Sequence, residues 1–327
     1  MDSKKIKIRR AGLEDIPEIM RMADVIFRKT YAEILSPEQM EYMMDWMYSA
    51  ENLKPQVSAD GKWFYIAEDE GTPAGYVSFE LEDKLDDERN LYHLQKLYAM
   101  PDYQHTGLGR RMLEFAEREI AVMNPEGCRM ELNVNRGNPA VDFYEHMGLT
   151  RARQGDFPIG KGFYMNDYIY ALDFSDETYR KAVKDVAYEE LYKSAKSLLK
   201  GESNLVSKMA NLAAVLHPGM GFWWTGFYMV ENGELILGPF QGPVACMHIP
   251  FGKGVCGTAW KEDRTVVVPD VELFPGHIAC SSESRSEIVV PVRKDGTITA
   301  VLDIDSRELG TFDATDAAWL GKFVELI

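Results

Sequence analysis

Apolar residues recur along the chain with two periods, and the changes between them outline its elements. Residues 5–10 (KIKIRR) alternate with period two and predict a strand. Residues 13–35 place Ile16, Ile19, Met20, Ala23 and Phe27 at helical spacing, with Pro17 in the first turn, where a missing N–H is tolerated. Ser36-Pro37-Glu38 reads as a second helix start. Met40, Tyr42, Met43, Met44, Trp46 and Met47 continue it as a strongly apolar helix suited to core packing. Strands are predicted over 63–67 and 74–80, around the turn Glu70-Gly71-Thr72-Pro73, and again over 91–100, 129–134 and 163–174. Helices over 107–122 and 139–147 fall between them, so this half is mixed α/β.

The pattern then changes. Residues 176–200 are polar with helical spacing and read as a linker and the first helix of a second domain. A helix over 205–216 precedes strands over 222–230 and 234–237, joined at Glu231-Asn232-Gly233. Further strands are predicted over 265–268, 286–292 and 297–304, and a closing helix over 311–327 with Asp313 near its start. Strands bracketed by helices predict an α+β domain. The expected organisation is residues 1–174 followed by residues 175–327.

Composition agrees with two ordinary globular domains: 327 residues, 46% hydrophobic and 27% charged. A net charge of −16 argues against nucleic acid or an anionic membrane as partner, because phosphate binding needs a basic face. The start MDSKKIKIRRAG lacks the apolar core of a secretory signal, and no run of about 18 apolar residues is present. The expected location is the cytoplasm. Its sparse cysteines, Cys128, Cys246, Cys256 and Cys280, then read as reduced thiols, any disulfide being catalytic.

Two stretches carry candidate chemistry. In the first half, Gln104-His105-Thr106-Gly107-Leu108-Gly109-Arg110 joins a strand to a helix. Glycines there turn backbone N–H groups toward an anion, and the helix N-terminus adds partial positive charge. Leu97-Tyr98-Ala99 precedes this loop, and Asn138-Pro139-Ala140-Val141-Asp142-Phe143-Tyr144-Glu145 follows on the next strand–helix unit, running on to Gly148. With the patterns Q-x-x-G-x-G and N-x-A-x-x-F-Y-E-x-x-G, residues 3–174 resemble the GNAT acetyltransferases. That resemblance implies a mixed-sheet fold. It also implies acetyl-CoA held by Leu97, Ala99, Gln104, His105, Thr106, Gly107, Leu108, Gly109 and Arg110, with Asn138 on the CoA arm and Asn135 as a rival for that role. Tyr144 would protonate the leaving thiolate. Many relatives carry a base where this chain has Gln95, which cannot take a proton. His93, two residues earlier on the same strand face, is the substitute base. A looser likeness to polyamine acetyltransferases implies a small amine acceptor.

In the second half, Cys246, Cys256 and Cys280 lie ten and twenty-four positions apart without a C-x-x-C pair, which suits redox chemistry better than zinc. Trp224-Thr225-Gly226-Phe227-Tyr228, the cysteine runs around Cys246 and Cys256, His277-Ile278-Ala279-Cys280, Ser286-Glu287-Ile288 and Leu302-Asp303-Ile304-Asp305-Ser306 together resemble the free methionine-R-sulfoxide reductases, a branch of the GAF fold, over residues 176–327. The resemblance implies an antiparallel sheet flanked by helices, with no bound cofactor or metal. Cys280 would attack the sulfoxide sulfur, Cys246 would close a disulfide, and Cys256 would relay or resolve. Thioredoxin would reduce the disulfide. Glu287, Asp303 and Asp305 would bind the substrate, with Trp224 and Tyr228 as an apolar wall. Relatives of this domain suggest a homodimer. Two other arrangements fit the same residues: a GAF domain that senses a small molecule for the acetyltransferase, or a GNAT domain that binds CoA without turnover. The intact cysteine set favours catalysis, because a sensor needs no resolving thiol.

Overall fold

A computed structural model describes residues 6–278 and 283–327. The chain divides into two compact units, Met1–Ala182 and Val183–Ile327. The first unit opens with β1 (Ile6–Arg10) and then α1 (Ile16–Tyr31), α2 (Pro37–Tyr48) and α3 (Ala50–Ser58). Next come β2 (Lys62–Asp69), β3 (Thr72–Lys84), β4 (Asn90–Ala99), α4 (Leu108–Val122), β5 (Cys128–Asn135), α5 (Ala140–His146), β6 (Thr150–Gly160) and β7 (Phe163–Phe174). Its seven-stranded sheet has the order β1-β2-β3-β4-β5-β7-β6, and β4 pairs with β5 in parallel while the other neighbours are antiparallel. One face packs Leu108, Met112, Leu113, Ala116 and Ile120 of α4 against the sheet. The other face is covered by Ile19, Met22, Ile26 and Phe27 of α1, with Met40 and Met43 of α2 and Leu53 of α3. The apolar methionines of α2 are thus core.

The helix expected over 13–35 begins later than its periodicity suggests. Leu13–Asp15 is a 3-10 turn, and Asp15 is fixed there by Arg9 at 2.7 Å and by the Gly12 amide at 2.8 Å. β4 and β5 position the first candidate site. Among the described residues their pairing runs only from Asn90–Cys128 to His93–Glu131, after which the strands part. A bulge at Gln95 reverses the facing of β4 beyond it: Leu94 pairs Phe79, and Lys96 pairs the adjacent Ser78.

Helix α6 (Asp176–Leu198) contains the division between the units. The second unit continues with α7 (Leu205–Met220), β8 (Trp224–Glu231), β9 (Glu234–Gln241), β10 (His248–Pro250), α8 (Gly254–Glu262), β11 (Val266–Val268), β12 (Ser286–Lys294), β13 (Thr297–Ser306) and α9 (Ala314–Val324). Its antiparallel sheet has the order β10-β9-β8-β13-β12-β11. Strand alternation sorts the two faces. Phe227, Ile288, Val290, Leu302 and Ile304 pack with Leu212 and Leu216 of α7 and Leu320 and Phe323 of α9. Trp224, Tyr228, Val289 and Val301 face Val255, Cys256 and Ala259 of α8. Asn204 caps α7 by accepting from Ser207 N at 2.9 Å, and Asp313 with Asp316 forms a capping box on α9. Among the described residues, no helix is long and apolar enough to cross a membrane.

Candidate functional site

In the second unit, the alternation that sends Ile288 and Leu302 to the helices sends Glu287, Asp303 and Asp305 to the opposite face. Register brings them together: Glu287 pairs with Asp305 across β12 and β13, and Asp305 with Trp224 across β13 and β8. Asp303 lies opposite Gly226, where a Cβ would stand 2.5 Å from the Trp224 ring, so glycine lets that indole lie flat over the strand. Trp224 stacks on Phe240 and Tyr228, with centroids 5.4 and 6.0 Å away. Trp224 Nε1 donates to Pro243 O at 3.0 Å, and the Tyr228 hydroxyl donates to Cys246 O at 3.0 Å. These bonds tie the loop carrying Cys246 to the floor of a pocket lined also by Cys256, His277 and Ser284.

Glu287 and Asp303 are buried, each 6% exposed, Asp305 is partly buried, and the three receive few hydrogen bonds. Cys256 Sγ lies 3.9 Å from Glu287 Oε1, His277 Nε2 lies 3.9 Å from Glu287 Oε2, and the Ser284 hydroxyl donates to Asp305. Asp303 Oδ1 is buried with no hydrogen-bond partner. Burial first, and then mutual repulsion, raises the pKa of Glu287 and Asp303 well above the carboxylate range. Burial lifts Asp305 to about 6, against the Ser284 hydrogen bond. Burial and the charges of Asp303 and Glu287 push the Cys256 thiol well up, so it stays protonated at neutral pH. Burial lowers the pKa of His277 and favours its neutral ring. The ligand atoms of Cys256, Glu287 and Asp303 lie within 4.8 Å of one another, a spacing that also suits a metal ion. Chemically, the pocket joins proton donors and latent anions to an aromatic wall. The expected nucleophile Cys280 lies outside the described residues. Neither His277 nor Ser284 is among the site residues expected from the sequence, although His277 opens the run that ends at Cys280 and Ser284 follows it.

In the first unit, the loop before α4 holds His105 at φ 61° and Gly107 at φ 87°, left-handed conformations that turn successive amides to one side. Leu108, Gly109 and Arg110 form the first turn of α4, where amides have no intrahelical partner. Thr106 Oγ1 donates to Tyr103 O at 2.7 Å, and Gln104 Nε2 to Ala99 O at 3.4 Å. The Arg110 guanidinium pairs with Glu114 at 2.7 Å on the exposed surface. Leu97 and Ala99 lie on β4 beyond the point where it parts from β5. Both asparagines bind backbone: Asn138 Oδ1 accepts from Ala140 N and Asn135 Oδ1 from Gly137 N, each at 2.9 Å. Tyr144, on α5, is buried, and burial raises its pKa, so it stays a proton donor. His93 Nδ1 is 3.3 Å from Glu82 Oε2, and Gln95 Nε2 donates to Glu80 Oε1 at 2.8 Å. The carboxylates absent from β4 itself are therefore supplied by β3.

The acetyltransferase (GNAT) family model matches residues 21–149, and the GAF domain model matches residues 203–327. GAF domain-containing protein A of Dictyostelium discoideum is 50% identical over 148 residues, spanning 45% of this chain and 94% of that protein. The free methionine-R-sulfoxide reductase of Saccharomyces cerevisiae is 43% identical over 153 residues, 44% of this chain and 85% of its own length. The chain is a GNAT domain followed by a GAF domain of the free methionine-R-sulfoxide reductase family. For the GNAT domain, the spermidine N(1)-acetyltransferase of Thermoplasma acidophilum is 29% identical over 149 residues, 44% of this chain and 88% of that enzyme. The cysteine-bearing pocket lies wholly in the GAF domain, and the loop before α4 wholly in the GNAT domain.

Proposed function

We propose that the chain is a bifunctional cytoplasmic enzyme whose GAF domain reduces free methionine-(R)-sulfoxide. The observation that carries this reading is a pocket lined by Glu287, Asp303 and Asp305 beside Trp224 and Tyr228, with one Asp303 oxygen buried and left open. An amino acid with a free α-ammonium supplies the missing positive charge, whereas a methionine inside a peptide does not. Its S-methyl group rests against the aromatic wall. The Cys280 thiolate attacks the sulfoxide sulfur while an acid of the pocket protonates the departing oxygen, releasing methionine and leaving a sulfenic acid. The Cys246 thiol then displaces water to form a disulfide. The balance is one sulfoxide and two thiols to methionine, a disulfide and water, and the dithiol of thioredoxin restores the thiols. Cys256, held protonated, serves as a proton relay in this scheme.

The GNAT domain transfers an acetyl group from acetyl-CoA to a small amine. The amides of the loop and first turn of α4, with Gln104 through Arg110, are suited to the pyrophosphate. Leu97 and Ala99, on β4 beyond its pairing with β5, bind the pantetheine arm in this reading, with Asn138 as a further contact to CoA. Tyr144 is the proton donor to the thiolate, and His93, backed by Glu82, is the base.

The reductase reading is tested by incubating the full chain with each epimer of free methionine sulfoxide and a thioredoxin system, and following methionine. Turnover of the R epimer alone is the expected result. No turnover of the R epimer, or equal use of both, contradicts the reading.

A further inference from the structure

The GNAT domain buries two carboxylates on the sheet face that packs under α1 and α2, and they are treated oppositely. Glu131 of β5 is 5% exposed and is held by Arg153 at 2.7 Å and Arg129 at 3.0 Å. Asp167 of β7 is also 5% exposed, and its Oδ1 has no hydrogen-bond partner. Its Oδ2 accepts only a long bond from Asn133 Nδ2 at 3.4 Å, and among the described residues it forms no ion pair. The basic side chains that could have served it are engaged elsewhere: Arg136 pairs with Asp156 at 2.9 Å, and His93 faces Glu82. Asp167 lies in step with Met165, which packs with the α1–α2 core, while Tyr168 and Tyr170 point to the α4 side. It pairs with Asn135, the last residue of β5, at the end where β5 has left β4. Tyr31, at the end of α1, approaches the Tyr98 hydroxyl at 3.4 Å and lies within electrostatic reach of Asp167. Tyr31 is likewise within electrostatic reach of Tyr144, the expected proton donor.

We propose that Asp167 anchors the cationic primary amine that accepts the acetyl group, with the hydroxyls of Tyr31 and Tyr98 lining its approach. The assignment rests on the acetyltransferase reading of the GNAT domain and deepens it by naming the residue that recognises the acceptor. A buried carboxylate with an open lone pair is costly unless a donor meets it, and an ammonium group brings both donors and the compensating charge. Burial raises the Asp167 pKa, as expected of a carboxyl that lacks its cation. The sequence signal is a charged residue between apolar same-face neighbours, in the run Met165-Asn166-Asp167-Tyr168-Ile169.

The test is calorimetric titration of the full chain and of Asp167→Asn, first with CoA, which carries no acetyl group, and then with spermidine, putrescine and 2-phenylethylamine on the CoA complex. Loss of one charge-assisted bond should weaken amine binding about tenfold or more. CoA affinity should stay unchanged, and the melting temperature should stay equal or rise, because the substitution removes an unpaired buried charge. Equal amine binding by both proteins, or a markedly destabilised variant, overturns the role of Asp167 and leaves the acetyltransferase reading standing. A parent chain that binds CoA but none of the three amines overturns the anchor and favours a CoA-binding module. A parent chain that binds neither overturns the acetyltransferase reading together with the anchor.

Discussion

The GAF domain buries carboxylates on both sides of its sheet and holds them in opposite ways. On the helix side, Asp316 is fully buried and saturated: it accepts from the Tyr188 hydroxyl at 2.7 Å, Lys184 Nζ at 2.6 Å and Asp313 N at 2.8 Å. On the pocket side, Glu287, Asp303 and Asp305 have no lysine or arginine partner among the described residues, and Asp303 keeps an open oxygen. A saturated buried charge fixes structure, because removing one partner strands the other. An unsaturated one stores unfavourable energy that a cationic ligand releases. The same residue type therefore has two functions in one domain, and its partners decide which.

Substitutions can break this contrast, and the largest effect falls on the chemistry itself. Cys280→Ser should abolish turnover of free methionine-(R)-sulfoxide, while Cys128→Ser, in the other domain, should leave it intact; a methionine-release assay reads both. Next, Asp303→Asn or Glu287→Gln should lower kcat/KM by about 10- to 100-fold, the loss of a charge-assisted bond, without lowering the melting temperature. Asp316→Asn should do the reverse. It should destabilise the domain by about 3 kcal/mol, at the low end for a broken buried pair because Lys184 is half-buried, and leave kcat/KM unchanged at temperatures where the domain is folded. Chemical denaturation checks that value.

The smallest effect is the pH response of the pocket. The Asp305 pKa is raised from 3.8 to about 6, so its stabilising contribution is full below the ordinary carboxylate range and is lost as pH rises through about 6. The ligand-free chain should lose stability on the order of 2 kcal/mol between pH 4 and 7 from this group. Asp305→Asn should flatten that slope, as measured by unfolding at a series of pH values.

Much of this contrast is legible in the sequence. Period-two alternation along β12 and β13 already separates Ile288 and Leu302 from Glu287 and Asp303, and strand alternation does not depend on tertiary context. Helix α9 announces itself through Asp313 and its apolar spacing. Other elements are hidden for physical reasons. α3 contains Pro55 and buries only Leu53 and Val57, so it carries little periodicity. β6 is an edge strand with no buried residue, so neither face is marked by apolar residues. α8 opens with Gly254 and contains Gly257, where a Cβ would stand 2.6 Å from Pro250 O; close packing, not helix propensity, explains its composition. The open oxygen on each of Asp303 and Asp167 is invisible in the sequence, because it depends on which cations the fold sends elsewhere. Only the fold shows that Arg136 is committed to Asp156 and that, among the described residues, no lysine or arginine reaches Glu287.

The central claim is that the open carboxylates of the GAF pocket read the α-ammonium of a free amino acid. The most direct measurement compares kcat/KM for free methionine-(R)-sulfoxide with that for N-acetylmethionine-(R)-sulfoxide, which keeps the sulfoxide and loses the charge. The account predicts that the acetylated compound is used at least about 100-fold less well, because it leaves a buried carboxylate unpaired. Equal use of the two compounds would contradict it.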